Sequence, residues 1–226
     1  MTTDSTALIP VADTTPEGDH RYGGLDHDVS GGISAPVLGM LLFITSEVMF
    51  FSGLFAAYFN VRANVAIWPP IKPDTIPPEQ YHVDMLPFVL PATIVLIISS
   101  FTCQWAIWSI RRGDHTRFVR AIAVTAVLGA VFLVTQCIDY WMLGQEQVTL
   151  SSGTFGTTYF TLTGFHMAHV FGGVVMLSVV LYRGMLGQFT AKHHDAAEAA
   201  SLYWHFVDVV WIFLFSLLYL FPGKTV

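Results

Sequence analysis

The sequence predicts an all-α polytopic membrane protein, a bundle of five transmembrane helices with its amino terminus inside and its carboxyl terminus outside. Three observations carry that expectation. Of 226 residues, 54% are apolar and only 12% charged, and the mean hydropathy is +0.58, far outside the range of soluble domains. Five stretches approach or exceed the roughly 20 apolar residues that a helix needs to cross a hydrocarbon core of about 30 Å. Lysine and arginine also concentrate on alternate connections, as orientation in a membrane requires.

Taken in order, the spans fall at about 35–60, 85–110, 118–141, 155–182 and 199–221, within a transmembrane domain of residues 34–226. The first is interrupted only by Glu47, and the second has no charged residue. The fourth holds His166 and His169, and the fifth holds His205 and Asp208. With the amino terminus inside, seven basic residues (Arg21, Arg111, Arg112, Arg117, Arg120, Arg183 and Lys192) lie inside, against three (Arg62, Lys72 and Lys224) outside. The loop "WPPIKPDTIPPEQYH" is proline-rich, so it should be stiff and extended.

Residues 1–33 form an acidic, mobile, cytoplasmic tail by composition. Six of the sixteen acidic residues lie in its first 28 positions, so the net charge of −6 describes an arm and not a surface for nucleic acid. Its histidines could bind a metal, though a solvated arm is the commoner case. The tail lacks the basic start and apolar core of a secretory signal, so no cleavage is expected. Cys103 and Cys137 sit in different spans without ligand spacing and are expected to be packing residues.

Helix association in lipid relies on close backbone approach and on polar contacts between helices. Gly164, Ala168 and Gly172 repeat every fourth position and make a small-residue groove on the fourth span, with His166, His169 and Gly173 roughly opposite. Gly39, Ser46 and Gly53 make a similar shallow seam on the first.

Glu47 lies about ten residues from either end of its span, near mid-bilayer, where a charge costs roughly 2.5–3.5 kcal/mol. It must be protonated, paired, or turned towards another chain. Phe43, Phe50, Phe51 and Leu54 surround it at helical spacing and offer no cation. His166 and His169, three apart, could be metal ligands, partners of a haem held against His205, or interhelical hydrogen-bonding groups. His205 and Asp208 are also three apart and could meet on one helix face. Trp204, Asp208, Trp211 and Phe215 form a helical stripe suited to an interface, and Asp139 beside Tyr140 and Trp141 looks interfacial. No cluster of three or four histidines suits copper, and no nucleophile sits with a base, so no active site is expected in this chain.

The segments "GMLLFITSEVMFFSGLFAAYF" (39–59), "TYFTLTGFHMAHVFGGVVML" (158–177) and "LYWHFVDVVWIFLFSLLYL" (202–220), with "WPP" (68–70) and "LIISSFTCQWA" (96–106), resemble cytochrome c oxidase subunit III over about residues 34–221. The likeness is to the short five-helix bacterial form, which lacks the first two helices of the long form and with them one side of its lipid cleft. The resemblance implies that Glu47 is the family's membrane-embedded carboxylate, that His166, His169, His205 and Asp208 are polar core positions, and that none binds a redox centre. It implies a non-redox accessory subunit of a proton-pumping haem-copper oxidase in aerobic respiration. Such a subunit packs on subunit I beside subunit II, holds structural phospholipid, and supports proton uptake and stability during turnover. Haem and copper would reside in the partner subunits, and the complex would lie in a bacterial plasma membrane, where a larger respiratory supercomplex is a further candidate partner. Three alternatives stay open: subunit III of a quinol oxidase, a membrane cytochrome b holding haem between His166 and His205, and a free-standing proton or ion transporter using Glu47.

Overall fold

The computed structural model describes residues 33–65, 86–145 and 148–220. Residues 1–32 of the acidic tail, the whole proline-rich loop and the carboxyl-terminal residues 221–226 lie outside them, so the expectations placed there stay as sequence readings. The described residues form five helices long and apolar enough to cross a membrane: α1 (Ala35–Asn64), α2 (Leu86–Arg111), α3 (His115–Gln145), α4 (Thr154–Met185) and α5 (Asp195–Phe215). A π-helical segment, Ser216–Leu220, continues α5.

Local chemistry sets several of the boundaries. Pro36 sits in the first turn of α1, where its missing N–H costs nothing. The turn between α2 and α3 has only three residues; Gly113 takes a positive φ of 79° and closes it. Asp114 then caps α3, its Oδ1 accepting the Arg117 backbone N–H at 3.0 Å. Asp195 and Glu198 lie in the first turn of α5, where the helix dipole favours negative charge.

Helices α2, α3, α4 and α5 close into a ring, each packing on its neighbours and α5 returning to α2, while α1 leans on the outside of α5 and α4. In the most hydrophobic window of each span, 56% of the residues of α5 are buried but only 6% of those of α1. The hub is therefore α5, and α1 is an outrigger.

The buried positions follow alternating steps of three and four. On α3 they include Phe118, Ile122, Thr125, Gly129, Phe132, Gln136, Asp139 and Leu143; on α5 they include Ala197, Ala200, Trp204, Val207, Trp211 and Leu214, with Leu218 continuing the row on the π-helical segment. That spacing is the one which lets neighbouring helices interlock side chains along a continuous seam.

Trp204 fills the middle of the ring. Its indole leaves no room for side chains at two glycines: a Cβ on Gly129 of α3 would lie 2.5 Å from the ring, and one on Gly173 of α4 would lie 2.8 Å from it. The close-packed face of α4 is accordingly His166, Val170, Gly173 and Leu177, all buried. The Gly164, Ala168 and Gly172 groove is only partly covered: Gly164 faces the Tyr140 hydroxyl, Gly172 faces the Tyr203 hydroxyl, and Ala168 is exposed. The closest approach of a neighbouring helix to a glycine of α4 is thus at Gly173, opposite that groove, where a large indole and not a second small-residue strip is accommodated. Gly39, Ser46 and Gly53 lie on the exposed side of α1, and no atom of a described residue outside the local helix comes within 4 Å of a Cβ at either glycine, so the described residues do not use that seam.

Replacing Gly129 or Gly173 by alanine should lower stability by about 1–3 kcal/mol, since the indole must shift. Gly39→Ala should stay within about 0.5 kcal/mol of the parent. Equilibrium unfolding in mixed micelles compares the three, and equal effects would refute the clasp around Trp204.

Candidate functional site

The ionisable and polar side chains inside the spans meet in pairs and short chains across helix boundaries. Glu47 of α1 and His169 of α4 form a polar contact between the outrigger and the ring: Glu47 Oε2 lies 2.9 Å from His169 Nε2, and both side chains are mostly buried. His169 Nδ1 lies 2.7 Å from the Phe165 carbonyl oxygen, which can only accept, so Nδ1 carries a proton and donates it. One proton is then shared across the other contact. Either the imidazolium donates Nε2–H to the carboxylate, or the neutral ring accepts from the carboxylic acid. Both arrangements leave the pair with no net charge, which lowers the cost of placing Glu47 within the span relative to a lone carboxylate. Rings enclose the contact, with Phe51 at 5.0 Å and Phe50 at 6.3 Å from the imidazole. The aromatic neighbours expected at helical spacing are present, but the counter-group comes from α4.

His166, one turn before His169, points into the ring. It is fully buried and stacked on Trp211 at 5.0 Å, with Phe132 edge-on at 6.2 Å. Neither ring nitrogen has a partner among the described residues. The two histidines of α4 therefore serve different neighbours and do not converge as ligands, a three-residue step leaving about 60° between them around the helix.

His205 and Asp208 likewise do not pair. His205 turns to α2, where Nε2 lies 3.2 Å from Gln104 Oε1 and Nδ1 lies 2.6 Å from Ser100 Oγ. A neutral ring that donates to the amide oxygen and accepts from the hydroxyl is satisfied on both sides. Asp208 is 4% exposed, and neither of its oxygens makes a hydrogen bond of ordinary geometry, although the Ser100 hydroxyl lies close by. The expectation of a paired imidazole and carboxylate is corrected, because Ser100 and Gln104 on α2 hold the ring.

Two tryptophans extend the same seam. Trp204 Nε1 donates to Ser99 Oγ at 3.0 Å and Trp211 Nε1 donates to Thr93 Oγ1 at 3.0 Å; each hydroxyl passes its own proton to a carbonyl of α2. Trp204, Asp208, Trp211 and Phe215 are all buried, and Cys103 packs against Ser201, while Cys137 is exposed. At the seam's end Glu198 of α5 holds Arg111 of α2 at 2.7 Å and His194 at 3.0 Å.

A second cluster was not anticipated. Asp139 is fully buried inside the chain: its Oδ2 accepts from the Tyr159 hydroxyl at 3.2 Å, and Tyr159 in turn bonds Tyr219, which the π-helical segment carries. Gln136, one turn earlier on α3, is equally buried. The signal was present in the three-four spacing of Phe132, Gln136, Asp139 and Leu143. The adjacent Tyr140 and Trp141 concealed it by resembling an interfacial belt.

Among the described residues no three histidine, cysteine or carboxylate side chains gather at one point. His166 is packed between aromatic rings and His205 is engaged by α2, so the two rings proposed to hold a haem are committed to separate neighbours. The arrangement is suited to binding helices together and to sharing protons between them.

If the Glu47 and His169 contact works as described, a double-mutant cycle with Glu47→Gln and His169→Phe should give a coupling energy of about 0.6–2 kcal/mol. A coupling near zero would contradict it. His166→Phe should change stability by no more than about 1 kcal/mol, because an unpartnered buried ring exchanges for an apolar one of similar shape; unfolding in micelles measures both.

The sequence is similar to known proteins over most of its length. The family model for cytochrome c oxidase subunit III matches residues 11–223. The cytochrome c oxidase subunit 3 of Corynebacterium diphtheriae is 41% identical over 182 residues, covering 80% of this chain and 86% of that protein. The probable cytochrome c oxidase subunit 3 of Mycobacterium bovis is 37% identical over 183 residues at the same coverage. The subunit 3 of Danio rerio is 39% identical over 186 residues, covering 80% of this chain and 67% of that protein. On this evidence the chain belongs to the cytochrome c oxidase subunit III family, whose members are part of a multi-subunit oxidoreductase complex.

Proposed function

We propose that this chain is a non-redox companion of the haem- and copper-bearing subunit I in an aerobic proton-pumping oxidase. In this reading it carries no active site of its own. It packs on subunit I, meets subunit II in the same complex, holds structural phospholipid, and supports proton supply and the lifetime of the complex during turnover. The complex takes electrons from cytochrome c and lies in a bacterial plasma membrane, with the amino terminus of this chain on the cytoplasmic side.

The observation that carries the reading is the pairing of Glu47 with His169. It places a shared proton at the junction of the outrigger and the ring, next to the uncovered side of α1 on which Gly39, Ser46 and Gly53 lie. A shallow small-residue strip suits close contact with a helix of another subunit. The bias of seven basic residues to three supports the orientation.

Glu47→Gln in the assembled oxidase separates a functional role from a structural one. The variant should copurify with its partner subunits and start at near-normal turnover, then inactivate several-fold sooner than the parent. Oxygen consumption followed to completion provides the measurement, and an unchanged lifetime would assign Glu47 to packing alone.

A further inference from the structure

The hairpin of α2 and α3 carries a feature that the subunit contacts above do not use. At its turn, Arg111, Arg112, Arg117 and Arg120 crowd within ten residues, and Trp105 and Trp108 project from the exposed side of α2. A groove runs between the two helices on this side, lined by Thr102, Trp105, Arg117, Arg120, Ala121 and Val124.

The two arginines of the groove are not equivalent. Arg117 is held by Asp114, Nε to Oδ2 at 3.1 Å, which fixes its stem and leaves the outer guanidinium nitrogens available. Arg120 is exposed and makes no ion pair or hydrogen bond with any described residue. It is the sixth residue of α3, so it stands about 8 Å past the start of the helix. A guanidinium on a membrane-spanning helix beside an apolar wall calls for an anion or a reach back to water. The floor of the groove offers nothing acidic: Thr102 is committed to the Ser99 carbonyl and to Thr125, and Ala121 and Val124 are apolar.

We propose that this groove binds one anionic phospholipid, its phosphate clamped by Arg117 and Arg120 and its upper acyl chain lying over Ala121 and Val124 against the Trp105 indole. Guanidinium groups match phosphate oxygens in geometry as well as charge. An indole at headgroup level is amphipathic in the sense the site needs, with an apolar face for the chain and an N–H for the polar zone. The inference deepens the lipid-holding part of the proposed function by giving it a location and a charge preference.

Native mass spectrometry of the full-length chain tests it after delipidation and re-addition of mixed micelles containing phosphatidylglycerol or phosphatidylcholine. The parent should retain phosphatidylglycerol over phosphatidylcholine. Arg120→Gln should weaken that retention about fivefold, and Arg117→Gln with Arg120→Gln should weaken it further. Arg183→Gln should leave it unchanged, since Arg183 lies on α4 over the Phe189 ring, bonded to Gln188. Retention of phosphatidylglycerol equally by the parent and both groove variants, or equal retention of the two lipids, would overturn the site and leave lipid holding in general intact. Retention of neither lipid by the parent would overturn both.

Discussion

One indole holds the ring of helices together. Trp204 projects from α5, donates its N–H to Ser99 on α2, and lies against Gly129 of α3 and Gly173 of α4. A single side chain thus fixes the spacing of four helices. In lipid this matters more than it would in water, because burying the indole gains little from leaving an apolar solvent; shape fit and the one directed hydrogen bond decide where it sits. Trp211 repeats the arrangement two turns later through Thr93, so α2 and α5 are kept in register by two indoles and two hydroxyls.

The ionisable residues follow from that frame. Once α4 and α5 are set, His169 faces outward to meet Glu47, while His166 is drawn into the aromatic interior. The outrigger α1 adds aromatic contacts, with Phe55 against Phe213 at 4.6 Å and Phe50 against Phe165 at 5.0 Å, and Tyr58 is buried near the π-helical end of α5. Few of the residues of α1 are buried by its own chain. Such a helix is held by a neutral, proton-sharing contact and leaves a broad apolar face for a neighbour, a division of labour suited to an accessory subunit.

The sequence revealed the five spans well, because runs of more than twenty apolar residues have few other solutions. It revealed the stripe of Trp204, Asp208, Trp211 and Phe215 for the same reason that α5 is the hub: its aromatic and polar residues recur on one face. Partner choice was hidden. The second span carries no charged residue, yet Thr93, Ser99, Ser100 and Gln104 on it receive the tryptophans and His205. Small hydroxyls carry no distinguishing signal in a helix that is apolar all round. Residues spaced by three suggested an internal pair at His205 and Asp208, but each side chain instead answers to what lies across the interface. The three-four pattern of burial runs along α3 and α5, but lipid-facing positions are as apolar as core positions, so composition alone could not show which face turned inward.

The central claim is that the buried imidazoles and carboxylates bind helices and protons, not a redox cofactor. The visible absorption spectrum of the purified chain, taken with its iron and copper content per molecule, tests that claim most directly. The account predicts a spectrum without a haem band and metal far below one atom per chain. A haem band at one per chain that survives purification and disappears in His205→Ala would contradict it.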